Sequence, residues 1–169
     1  GSYTYKIYGN DTFGNRGISE TFTINIDLIP PSWSNNITNI TDLNNIKKKE
    51  VIQFNVTWND SVNLSFFIFS WNDTGTWDNA TNGSLNGKTQ IVSVNQTVTA
   101  TGNKVIGYKF YANDTVGNAN QTETWTITTA NTPPQTPSIV FPSSNLYTNL
   151  QPLGLNVTFK ADADGDALN

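Results

Sequence analysis

Asp162-Ala163-Asp164-Gly165-Asp166 is the sharpest polar cluster in this 169-residue chain. Alternating carboxylates in a turn can converge on a hard cation, because Ca²⁺ takes roughly six to eight oxygen ligands at about 2.3–2.6 Å. The glycine comes too early for an EF-hand loop, so the competing reading is a solvated acidic turn after a strand at 155–159. A second set of carboxylates, Asp11, Asp73, Asp78, Asp114 and Glu123, invites a glycosidase-like acid pair. Asp11 and Asp114, however, both sit in an Asn-Asp-Thr sequence, where Asp most simply closes an Asx-type turn. The expectation is that the chain is not an enzyme. Trp71 and Trp77 bracket Asn72-Asp-Thr-Gly and could stack on a sugar, although aromatic side chains of this size more often fill a core. With no Cys and no His, thiol chemistry, disulfides, imidazole acid–base catalysis and the commonest zinc sites are excluded within this sequence. The net charge of −4 leaves no electrostatic footprint for nucleic acid.

A modification motif is the more abundant signal. The chain has 25 Asn, 24 Thr and 12 Ser, and Asn-x-Ser/Thr begins at 13 positions. These are Asn10, Asn36, Asn39, Asn55, Asn59, Asn63, Asn72, Asn79, Asn82, Asn95, Asn113, Asn120 and Asn156. Chance pairing at this composition gives about five. The excess points to covalent N-glycans on an extracellular, solvent-facing chain. The absence of Cys, His and Met agrees with an exposed, oxidising setting.

The elements that carry these groups recur. Tyr5-Lys-Ile-Tyr-Gly-Asn-Asp-Thr-Phe-Gly-Asn15 returns as Tyr108-Lys-Phe-Tyr-Ala-Asn-Asp-Thr-Val-Gly-Asn118, and 12 of the 20 residues in 5–24 match those in 108–127. Pro30-Pro31 maps onto Pro133-Pro134 at the same offset. A fixed period of this size predicts a tandem array. The expected division is the C-terminal strands of one module (1–29), a complete module (30–132) and the N-terminal strands of a third (133–169). Within the complete module, Ile52, Phe54, Val56 and Trp58 alternate against polar neighbours, as do Val92, Val94 and Val98, and then Tyr108, Phe110 and Ala112. Thr122 to Thr128 is expected to be one further strand. The apolar run Leu64–Trp71 predicts a central strand covered on both sides or one lying at an inter-module contact, and 72–88 reads as turns. No helical period appears, so the fold class expected is all-β, a two-sheet sandwich of about 100 residues repeated along the chain. By parity, Asn55, Asn63, Asn95, Asn113 and Asn156 lie on polar strand faces. The Pro-rich joints predict semi-rigid extended spacers, with Trp33 packing at a junction. Lys47-Lys-Lys49 reads as a solvated turn flanking a strand.

The strand Tyr108-x-Phe110-x-Ala112-x-Asp114-x-x-Gly117-Asn118 resembles the penultimate strand of immunoglobulin-like and fibronectin type III-like modules. The wider sequence, with Phe66–Trp77 and the Pro-Pro junction, is similar to the tandem Ig-like repeats of archaeal cell-surface and S-layer-type glycoproteins. That resemblance implies a tyrosine corner, with the Tyr108 hydroxyl, and Tyr5 in the preceding copy, bonded back to upstream backbone. It also implies that Asp162, Asp164 and Asp166 bind Ca²⁺ near a junction. No such site is expected in the middle module, which has Asn59-Asp60-Ser61 at the corresponding place. The function implied is structural, as N-glycosylated S-layer, stalk or filament material at the cell surface. Its partners would be adjacent modules and neighbouring copies of itself, together with cell-surface or glycan contacts. The alternatives are an adhesin or carbohydrate-binding module, or the spacer of a secreted hydrolase.

Overall fold

A computed structural model describes residues 1–142, 147, 149, 154–160 and 162. All regular structure among them is strand, and no helix is long and apolar enough to cross a membrane. The strands are β1 (Ser2–Tyr5), β2 (Tyr8–Asn10), β3 (Arg16–Ile18), β4 (Phe22–Asn25), β5 (Ser32–Thr38), β6 (Val51–Asn59) and β7 (Leu64–Trp71). They continue as β8 (Asp78–Ser84), β9 (Thr89–Thr97), β10 (Val105–Asp114), β11 (Ala119–Gln121), β12 (Trp125–Thr128), β13 (Ser138–Phe141) and β14 (Asn156–Thr158).

Strands β5 to β12 build two antiparallel sheets around one core. The first runs β5-β6-β9; the second runs β8-β7-β10-β11, with β12 pairing the other half of β10. Alternation decides which side chains turn inward, because successive residues of a strand face opposite ways. In β6, Ile52, Phe54, Val56 and Trp58 are wholly buried while Gln53, Asn55 and Thr57 are half-exposed. Phe54 joins the two layers: its ring lies 4.4 Å from Tyr108 and 5.1 Å from Phe69, both on the opposite sheet. Such ring pairs add roughly 0.5–1.5 kcal/mol beyond the area they bury.

The expected strands differ from the observed ones in four places. The 72–88 stretch is not all turn, since β8 occupies its middle as the outer neighbour of β7. Its Asn, Thr and Gly content hides it, because an edge strand lies against only one partner. Gly83, opposite Phe67, is needed there: a Cβ would come within 2.9 Å of the Phe67 ring. β7 is central as expected, between β8 and β10, but its outer face is open at Phe66 and only half-covered at Ile68. The strand expected over 122–128 is broken between β11 and β12. Thr122 causes the break, its hydroxyl accepting from the Phe110 N–H at 3.0 Å and donating to the Glu123 carbonyl at 2.8 Å. Trp33 belongs to β5 and meets Trp125 edge to face at 5.1 Å, so it closes the core of this sandwich rather than a junction.

The repeat is visible in the pairing itself. β1 pairs β4 with Tyr5 opposite Phe22, and β10 pairs β12 with Tyr108 opposite Trp125. β2 pairs β3 with Tyr8 opposite Ile18, and β10 pairs β11 with Tyr111 opposite Gln121. Every register pair in the first set becomes one in the second when each number rises by 103. The paired rings follow, with Tyr5–Phe22 at 5.4 Å and Tyr108–Trp125 at 5.6 Å.

Candidate functional site

The repeated Asp closes the same turn in both places. Asp11 accepts from the Phe13 N–H (2.9 Å), the Asn15 N–H (2.8 Å) and the Asn15 side-chain amide (2.6 Å). Asp114 accepts from Val116 (2.9 Å), Asn118 (2.8 Å) and the Asn118 amide (2.7 Å). Gly14 and Gly117 take positive φ of 86° and 96°, the left-handed geometry that the turn requires and glycine supplies without strain. Burial works against the charged form of Asp114, but the Asn118 amide and the surrounding N–H groups outweigh it and hold its pKa below the usual value. At exposed Asp11 the Asn15 amide and N–H lead the same downward shift. Asx-turn carboxylates are engaged in this way by the backbone, so neither is free for acid–base work.

The other carboxylates are dispersed. Asp73 is buried and ties the turn after β7 to the loop after β9, accepting from Thr99 N (3.1 Å), Ala100 N (3.0 Å) and the Thr99 hydroxyl. Asp78 is exposed on edge strand β8, and Glu123 accepts from the Trp125 indole N–H at 2.8 Å. Of the two tryptophans considered for sugar stacking, Trp71 is in the core. Trp77 is 46% exposed, and the Lys109 ammonium stands 5.0 Å above its ring. The bracketing pair therefore does not form a platform.

Tyr108 is wholly buried, and its hydroxyl donates to the side-chain oxygen of Asn36 at 3.3 Å. The expected bond to upstream backbone is replaced because β5 bulges between Ser34 and Ile37, with Asn35 at φ 56°, and Asn36 reaches the hydroxyl from there. Burial pushes the Tyr108 pKa up, and the Asn36 bond opposes it. Tyr5 is 45% exposed in the preceding copy and stacks on Phe22.

The sequon asparagines divide by what their side chains touch. Asn10, Asn39, Asn63, Asn79, Asn82, Asn95, Asn120 and Asn156 are exposed, and of these only Asn39 and Asn120 hydrogen-bond through their side chains among the described residues. Asn63 immediately precedes β7 rather than lying on a strand face, and Asn79 and Asn82 lie on edge strand β8. Asn36 serves Tyr108, Asn72 accepts from Gly107 N at 2.6 Å, and Asn59 accepts from the Thr89 hydroxyl at 2.9 Å. Asn55 accepts from Ser93 at 2.6 Å and donates to the Ile37 carbonyl at 3.3 Å. Asn39 accepts from Gln53 N at 2.8 Å, Asn120 donates to the Pro31 carbonyl at 2.8 Å, and the Asn113 side-chain oxygen is buried without a donor.

Of the acidic turn, Asp162 is buried and accepts from the Thr132 hydroxyl at 3.3 Å, while Asp164 and Asp166 lie outside the described residues. An acidic cluster that the sequence reading missed lies at the first joint, where carboxylate oxygens of Asp27, Asp60 and Asp114 fall within 4.8 Å of one another. The three are far apart in sequence, on the segment leading into β5, the loop after β6 and the end of β10. The tertiary fold brings them together, with Ser61 and Asn118 holding the Asp27 residue in place. That joint is also held by Asn118 and Asn120, whose side-chain amides donate to the Asp27 and Pro31 carbonyls. The second Pro-rich segment is different, because 131–137 is exposed throughout and has no regular structure. On the outer face of the second sheet, Phe66, Ile68, Tyr111 and Gln121 line an open groove of about 490 Å³. No protein-family model matches this sequence, and no curated protein is significantly similar to it.

Proposed function

We propose that this chain is part of a structural, N-glycosylated cell-surface protein, a scaffold of Ig-like sandwiches strung in tandem and exposed outside the cell. The observation that carries this reading is the identity of strand register at a spacing of 103 residues, with the same Asp turn closing each copy. A three-strand sheet facing a second sheet in which β8 joins β7 and β10 suits the fibronectin type III-like arrangement of such modules. Repeats joined end to end give a rod whose length grows with copy number. Its partners would be adjacent modules and further copies of itself, and its work mechanical. The edge strands β8 and β9 carry the exposed sequons Asn79, Asn82 and Asn95, so glycans there would cover rows of unpaired backbone groups through which sheets otherwise aggregate.

Catalysis has no support in the arrangement of the carboxylates, most of which are engaged by backbone N–H groups. Carbohydrate binding would have to use Trp77 alone or the Phe66–Tyr111 groove. The scaffold reading is tested by intact mass of the native protein before and after deglycosylation, with electron microscopy of arrays of different copy number. Glycan-sized mass loss and rods lengthening by a constant step are expected. An unmodified mass, or compact particles of unchanging length, would remove it. Specific ligands on a glycan array would transfer the assignment to the adhesin reading.

A further inference from the structure

We propose that the first joint binds a divalent cation through Asp27, Asp60 and Asp114, and that the ion is Ca²⁺. The carboxylate oxygens of the three fall within 4.8 Å of one another, close enough to share one ion. Their existing partners are all neutral. Asp27 accepts from Ser61 and from Ile29 N, Asp60 from Val62 N, and Asp114 from Val116 and Asn118. These bonds leave three negative charges together without a compensating positive group.

The deciding atom is Asp60 Oδ2, which is fully buried and meets no donor. A carboxylate oxygen stripped of water and given nothing in return is costly, and two like charges beside it raise the cost. Asp114 cannot relieve the strain by turning to solvent, since it is 1% exposed and its oxygens are held by the turn. A cation among the three removes both penalties at once. The donor set is oxygen only, which selects hard ions over zinc or copper. Mg²⁺ sheds water reluctantly and is usually held by one or two carboxylates, whereas three carboxylates on loop and linker suit the larger, more adaptable shell of Ca²⁺. A cleft of about 260 Å³, lined by Ile29, Asn59, Asp60 and Ser61 among others, reaches the Asp60 member of the cluster. Because Asp27 belongs to the linker and the other two to the sandwich, the bound ion would fasten one to the other.

The test is calorimetric titration of Ca²⁺ into the metal-free 169-residue chain, paired with thermal melts. A binding event is expected that is lost in both Asp27→Asn and Asp60→Asn, neither of which removes a core side chain. Free Ca²⁺ at a hundredfold excess over Kd should raise Tm by on the order of 10 °C. Mg²⁺ should bind about tenfold more weakly. The double variant Asp164→Asn/Asp166→Asn must retain the event, which separates this site from the acidic turn. No Ca²⁺-dependent heat or melting shift, or an event that survives Asp27→Asn and Asp60→Asn, overturns the proposal. An event lost instead in the Asp164/Asp166 double variant overturns it equally, and Mg²⁺ binding as tightly as Ca²⁺ overturns the choice of ion.

Discussion

Replacing Asp73 by Ala should be among the most damaging changes outside the apolar core. Asp73 is 3% exposed, and its carboxylate takes the Thr99 and Ala100 N–H groups at 3.1 and 3.0 Å together with the Thr99 hydroxyl. Those partners lie 26 and 27 residues away, on the loop leaving the opposite sheet, so the bonds tie the two layers at one end. Hydrogen bonds to a charged acceptor contribute roughly 1.5–3 kcal/mol each, and part of that offsets the cost of burying the carboxylate. Truncation also strands two N–H donors in a poorly hydrated place. A net loss of about 3 kcal/mol follows, which for a domain near 100 residues lowers Tm by roughly 12–24 °C. Thr99→Val removes only the hydroxyl bond and should cost about 1 kcal/mol. Urea unfolding followed by tryptophan fluorescence measures both, with exposed Asp78→Ala as a control that should change stability by less than about 0.5 kcal/mol. A loss below about 1 kcal/mol for Asp73→Ala, or one no larger than the control, would refute the role given to this staple.

Phe54→Ala, which empties the contact between Tyr108 and Phe69, should destabilise by about 3–5 kcal/mol and is checked by the same urea transition. Burial raises the Tyr108 pKa above that of the unfolded chain, so its contribution is fully present below about pH 10 and is lost as pH rises through the folded value. Alkaline melts should therefore show the native protein losing stability more steeply than Tyr108→Phe. Gly83→Val should cost about 1–3 kcal/mol through collision with the Phe67 ring, read as a shift in the urea midpoint. Glycopeptide mapping of the native protein should find occupancy concentrated on Asn10, Asn63, Asn79, Asn82, Asn95 and Asn156, which are exposed and, unlike exposed Asn39 and Asn120, make no side-chain hydrogen bond among the described residues. Heavy occupancy of Asn36 or Asn72 instead would contradict that division.

The inward faces of β6, β9 and β10 could be read from alternation because each lies in a sheet with one side on the core. Ile52, Phe54, Val56 and Trp58 stand where period-2 patterning puts them. Strand β8 escaped because an edge strand with little apolar content has the composition of a loop, and its existence depends on the partner β7. The Tyr108–Asn36 bond spans 72 residues and depends on a bulge with positive φ at Asn35, neither of which a local pattern reveals. The stretch Asn59-Asp60-Ser61 carries no cation-site pattern of its own for the same reason. What gives Asp60 significance is the company of Asp27 and Asp114, assembled only by the tertiary fold.

The repeated turn explains more than its own closure. Asp114 orders Asn118 by accepting from both its N–H and its side-chain amide, and that amide also lies 3.2 Å from the Asp27 carbonyl of the incoming linker. One residue thus links the end of a hairpin to the segment arriving from the preceding copy. Asn120, two residues on, holds the Pro31 carbonyl, so the linker is gripped at two points four residues apart. A Pro-Pro joint that is stiff in itself is in this way also fixed to the body it enters. The first copy keeps Asp11 and Asn15 but has Gly17 where the second has Asn120. The Asp–Asn pair is therefore common to both copies, whereas the second contact belongs to the second copy alone, and Asn120→Gly should loosen the 27–31 segment while leaving the Asp114 turn intact.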